Sequence, residues 1–178
     1  MKIRSLTHAV PAALAAAILL SACSPKFDWR DYRGPAAPYA VLFPGKPAAQ
    51  TRDVDLGSDK VSMHMAAAEI DGVTFAVGSA ELPDAARAQA AIAVMKTTMA
   101  KNLNATITSE KQESSATGGA QRSTISIEAK GSRNGETMVL FGRFVAKDNR
   151  VYQAIVAGKE KQVDKDAVDT FLTSFKAD

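Results

Sequence analysis

Gln121-Arg-Ser-Thr-Ile-Ser-Ile-Glu-Ala-Lys-Gly-Ser-Arg-Asn-Gly-Glu-Thr-Met-Val-Leu-Phe-Gly-Arg-Phe-Val-Ala146 contains two strand-like runs around Arg133-Asn134-Gly135. Asn-Gly favours a tight hairpin turn, because both residues accept positive φ at low cost. In the first arm Ile125, Ile127 and Ala129 alternate with Ser126, Glu128 and Lys130, the period of a strand with one apolar face. In the second arm Met138 to Val145 is apolar at both parities. That pattern belongs at the centre of a sheet covered on both sides.

Working outward, Asp148-Asn149 turns the chain into Val151-Tyr-Gln-Ala-Ile-Val156, a further core strand. Upstream, Ala105 to Glu113 reads as a strand and Ser114-Ser-Ala-Thr-Gly-Gly119 as a loop. A second hairpin is expected at Asp71-Gly72, between Lys60–Ile70 and Val73–Leu82. Tyr39 to Phe43 is a short apolar strand stopped by Pro44-Gly45, and Gln50 to Leu56 is a weaker one. A helix is expected from about Asp84 to Asn102, with Ile92, Met95, Met99 and Leu103 along one stripe. A closing helix from about Asp164 to Phe175 carries Val168, Phe171, Leu172 and Phe175 at its helical spacing. Antiparallel strands with one helix in mid-chain and one at the end define an α+β fold: an antiparallel β-sheet with helices packed on it.

Three of these stretches together resemble the PsbP/DcrB-like proteins. They are Tyr39-Ala-Val-Leu-Phe-Pro-Gly-Lys-Pro47, the Asp71-Gly72 hairpin that leads into a helix, and Tyr152-Gln-Ala-Ile-Val156 followed by Phe171-Leu-Thr-Ser-Phe175. The resemblance covers about Tyr39 to Phe175. It implies a sheet between helical layers, a PsbP-like α/β/α sandwich, and a role that is generally not enzymatic. Family members include extrinsic photosystem subunits, a Ran-binding import factor and small bacterial lipoproteins. No shared set of functional residues comes with them.

The amino terminus has the three parts of an export signal: basic Lys2 and Arg4, an apolar run from Ala9 to Leu20, then small residues. At about a dozen residues, and with Pro11 near its start, the run falls short of the roughly 20 that a spanning helix needs. Leu20-Ser21-Ala22-Cys23 resembles the lipobox of bacterial lipoproteins and contains the only cysteine of the chain. The resemblance implies lipid on the Cys23 thiol, cleavage after Ala22 and acylation of the new amino terminus. Ser24 stands where an Asp would favour inner-membrane retention, so the implied address is the periplasmic face of the outer membrane rather than the inner one. The expected organisation is a signal peptide at 1–22, a lipidated tether at 23–36 and an α+β domain at 37–178.

The tether is unusually rich in aromatics. Phe27, Trp29 and Tyr32 stand among Asp28, Arg30, Asp31 and Arg33. One reading makes Phe27, Trp29, Arg30 and Tyr32 a partner-binding or headgroup-level segment, since Trp, Tyr and Arg anchor interfaces. The other makes the segment a short arm folded back on its own domain. Gly34-Pro35 marks the expected boundary.

Chemistry is sparse beyond Cys23. The whole chain carries +3, but Lys2 and Arg4 leave with the signal, so 20 basic side chains face 19 acidic ones. A net charge of +1 provides no field for nucleic acid, and none is expected as a partner. His64 is the only histidine beyond the signal, so a structural zinc site lacks ligands and no metal or cofactor is expected. Asp164 and Asp166 briefly suggest a calcium loop, but its glycine and terminal glutamate positions hold Asp169 and Phe175. No nucleophile elbow or phosphate loop is present. The expected function is therefore that of a non-catalytic interaction or accessory module for an envelope protein complex, held to the membrane through Cys23. A second reading is a carrier of a small apolar ligand or lipid, held between the Met-rich helix and the sheet. A third is an envelope hydrolase whose carboxylates, such as Glu69, Glu81 and Glu128, meet only in the fold.

Overall fold

The two turns on which the sequence reading depends form with the required backbone. Asn134 and Gly135 have φ of 53° and 77°, and Asp71 and Gly72 have 52° and 77°, the paired positive values of a type I′ turn. The computed structural model describes residues 25–117 and 120–178. The signal, Cys23 and the Gly118-Gly119 tip lie outside the described residues.

Among the described residues ten strands and two α-helices follow in order: β1 (Arg30–Arg33), β2 (Tyr39–Phe43), β3 (Ala48–Leu56), β4 (Asp59–Ile70), β5 (Val73–Glu81), α1 (Ala85–Asn102), β6 (Ala105–Thr117), β7 (Ala120–Arg133), β8 (Glu136–Lys147), β9 (Arg150–Lys159), α2 (Lys165–Ser174) and β10 (Lys176–Ala177). A single 3-10 turn, Glu160–Gln162, links β9 to α2. Seven strands form one antiparallel sheet in the order β3-β4-β5-β9-β8-β7-β6. The expected meander β6 to β9 makes up its larger half. β9 sits in the middle, and most of it is buried.

Each face of the sheet carries its own core. On one face Ala76, Leu140, Phe144, Val151 and Ile155 meet Ala88, Ala91, Ile92 and Met95 of α1. Pro83 breaks β5, and the Asp84 carboxylate caps α1 by accepting the Arg87 N–H at 2.8 Å, which satisfies one of the orphan donors at a helix start. On the other face Phe75, Val77, Tyr152 and Val156 meet Val168 and Phe171 of α2 together with Tyr39, Val41 and Phe43 of β2. This second layer is not purely helical. A small antiparallel sheet, β1-β2-β10, lies beside α2. The expected helical layer is thus half strand, because β2 is too short and too apolar to stand at an edge and acquires a partner on each side.

Two further expectations change. Ser114 to Thr117, read as loop, extends β6 and pairs with β7 as far as Ala120. Ser and Thr favour turns when their backbone lacks a partner, but here the ladder supplies one and the exposed edge accepts polar side chains on both faces. Residues 23–36, read as tether, contain β1, which pairs with β2 from Arg30↔Phe43 to Arg33↔Ala40. The fold therefore begins well before Gly34-Pro35.

Candidate functional site

The aromatic arm is built into the fold. Asp28 N–H donates to the Pro44 carbonyl at 3.0 Å, and Lys26 forms an ion pair of 3.6 Å with Asp71 at the β4–β5 turn. Phe27, Trp29 and Tyr32 are half-buried and pack on the α2-side core. Phe27 and Trp29 lie 5.6 Å apart, and Tyr32 meets Phe43 edge-on at 5.4 Å. On β1 Tyr32 turns inward, whereas Arg30, Asp31 and Arg33 are exposed. Of the four candidate contact residues only Arg30 faces solvent, paired to Asp28. The edge of β1 away from β2 has no strand beside it among the described residues.

Next to this hairpin, burial pushes the Tyr39 hydroxyl far above its ordinary value of 10.0, and neighbouring Tyr32 adds to the shift. Burial raises Tyr152 in the same direction. The folded chain then holds these protons to higher pH than the unfolded chain does. Stability is lost as pH climbs past the unfolded value near 10. Tyr39→Phe is expected to flatten part of that alkaline loss while leaving stability at neutral pH nearly unchanged. Urea unfolding at a series of pH values between neutrality and about 11 reads this directly.

His64 lies exposed on β4, where its Nδ1 shares a hydrogen bond of 2.7 Å with the Thr51 hydroxyl. The register places Ser79 directly opposite it. Ser79 is buried, and its hydroxyl has no protein partner. Both line an open cleft of about 500 Å³ with Lys60 and Arg150. The partner of the imidazole is a hydroxyl rather than a carboxylate, and Glu81, which lines the same cleft, is engaged by Arg150 and Asn149. Sequence reading missed the Ser79–His64 pairing. The Asp71-Gly72 turn held the signal for it, since those two residues stand equally far from the turn.

The carboxylates named for a hydrolase are not brought together. Glu69 is on β4 and Glu128 on β7, four strand positions away, which is about 19 Å at the usual strand spacing. Glu81 lies at the opposite end of β5 from the Asp71-Gly72 turn, paired in register with Arg150. The space between the Met-rich helix and the sheet exists. Met63, Met65, Met95 and Met99 line it, and it measures about 200 Å³, below the roughly 300–1,000 Å³ typical of small-molecule pockets.

The fold is PsbP-like. The solution structure of the cyanobacterial PsbP (CyanoP) from Synechocystis sp. PCC 6803 matches over 84% of this chain and 92% of that one, with a TM-score of 0.51 and 16% identity. A Pseudomonas aeruginosa protein of unknown function matches over 75% of this chain and 84% of that one, with 12% identity and a TM-score of 0.30, too low to carry an argument. No family model and no curated protein sequence matches the chain. The shared architecture is one antiparallel sheet with helices packed against it.

Proposed function

We propose that the chain is a non-catalytic accessory module of the bacterial envelope, anchored by lipid on Cys23 to the periplasmic face of the outer membrane, where it docks on an envelope protein. One observation carries this reading: residues 26–33 belong to the folded domain. Only three residue steps separate Cys23 from Lys26, a reach of at most about 11 Å. A leash that short holds the domain against the bilayer by the end that carries the Asp71-Gly72 turn and Pro44-Gly45. It presents the open edge of β1, with Arg30 and Arg33, to whatever is embedded nearby. Restricting a module to the membrane plane raises its effective concentration for a membrane-bound partner without any added contact.

Replacing Phe27, Trp29 and Tyr32 is a poor test of docking, because all three pack on the core. The exposed Arg30 and Arg33 are better positions. A photocrosslinking residue at either one is expected to trap one dominant envelope protein in intact cells. The same residue at Lys101, on the far face at the end of α1, is expected to trap it far less. Equal yields at all three positions would remove the β1 edge as the docking surface.

A further inference from the structure

Six methionines occur in the chain, and four of them line one pocket. Met63 and Met65 alternate on β4, which puts them on the same face of the strand. Met95 and Met99 are one turn apart on α1, which puts them on the same face of the helix. The two pairs meet across the gap between α1 and the β3–β4 end of the sheet. Met63 and Met95 are buried, whereas Met65 and Met99 are half-exposed at the opening. Thioethers therefore line the gap from floor to rim.

Gln153 fixes the floor. It is buried, and its side-chain amide lies 4.0 Å from the Met63 sulfur, a long sulfur-acceptor contact at the bottom of the gap. Gly78 makes room for the pair: a Cβ there would stand 3.1 Å from both the Gln153 side chain and the Met63 sulfur. An amide buried against a thioether serves little purpose in a purely apolar core, where Leu or Ile would pack with better-defined rotamers. It does serve to aim a sulfur.

We propose that Met63, Met65, Met95 and Met99 form a binding site for a soft monovalent cation of the Cu(I) class. Thioethers select Cu(I) over the harder divalent metals, which prefer nitrogen and oxygen. Four neutral ligands suit a single positive charge. The carboxylate and guanidinium at the rim, Asp55 and Arg52, offset each other. The volume is ample for an ion, and methionine has the torsional freedom to close on a guest. Gln153 acts as a positioning residue for Met63. The site stands independently of the anchoring reading.

The test uses the full chain in detergent, labelled with ¹³C at the methionine methyl groups, and Ag(I) as a redox-inert probe of the same softness. The expected result is that the Met63, Met65, Met95 and Met99 signals shift together and saturate at one equivalent. Met138, on β8 opposite Lys159, is the internal control and stays in place. The double substitution Met95→Leu with Met99→Leu conserves volume and keeps the melting temperature close to the parent value. It is expected to weaken Ag(I), and Cu(I) measured against a competing chelator, by more than the roughly 10–100-fold that losing a supporting group costs at metal sites. Met138→Leu is expected to bind like the parent. Equal shifts at Met138, absence of a saturable shift, or unchanged affinity in the double variant would each overturn the site.

Discussion

Phe171→Ala is expected to remove about 3–5 kcal/mol of folding stability, the usual cost of emptying a buried aromatic position. Domains of this kind have about 5–15 kcal/mol in total, so about a fifth or more of the margin depends on one ring. The reason is its place in the second layer. Phe171 is fully buried, with Phe43 of the small sheet 5.3 Å away and Phe75 of the large sheet 5.4 Å away, the latter edge-on. It is the side chain through which α2 touches both sheets at once. The polar contacts of α2 lie nearby and depend on the same placement: Leu42 N–H donates to the Ser174 hydroxyl at 3.0 Å and Arg143 donates to the Leu172 carbonyl at 2.7 Å. Truncating the half-buried Leu172 is expected to cost clearly less, since much of its surface already sees water. Urea unfolding with an unchanged m-value checks both. A loss below about 1 kcal/mol for Phe171→Ala would mean that α2 does not join the two sheets through this ring.

The elements legible in the sequence are those that bury a full stripe. β7, β8 and α1 each span many residues, so period and turn chemistry agree and the register follows from Asn134-Gly135 and Asp71-Gly72. β1 and β10 were not legible. β10 has two residues, too few to show a period, and β1 turns only Tyr32 inward among exposed charges. Both exist because β2 needs partners, and that need arises from tertiary packing. The same limit applies to the sites. His64 could be named from composition, but its contact with Thr51 depends on the β3–β4 register. The methionines of α1 could be read as an apolar stripe. That β4 contributes two more to the same gap required knowing which strand lies beside the helix. The aromatic arm shows a choice that composition leaves open: Phe27, Trp29 and Tyr32 read either as an interface or as an arm folded back on its own domain, and all three pack on that domain's core.

Behind an export signal that is cleaved without lipidation, Cys23→Ser is expected to transfer the chain almost completely from the membrane fraction to the soluble fraction, with loss of metabolically incorporated palmitate. The magnitude follows from chain counting. One myristoyl chain gives only marginal attachment, and each buried methylene adds about 0.8 kcal/mol, so two or three chains on one residue give lasting anchorage and none gives no anchorage. Among the described residues nothing replaces them. The net charge of residues 23–178 is +1, and Phe27 and Trp29, the aromatics nearest Cys23, are already half committed to the core. No helix among the described residues is long and apolar enough to cross a membrane. Persistence of the Cys23→Ser chain in carbonate-washed membranes would sink the anchoring role of this residue. A second variant separates anchorage from positioning. Ten Gly-Ser residues inserted between Ser24 and Pro25 leave the lipid in place and raise the maximal reach from about 11 Å to about 45 Å. Membrane recovery is expected to stay at the parent level, while crosslinking from Arg30 to the embedded partner falls several-fold. If the crosslink survives the insertion, docking depends on the surface of β1 alone and the short leash contributes nothing to it.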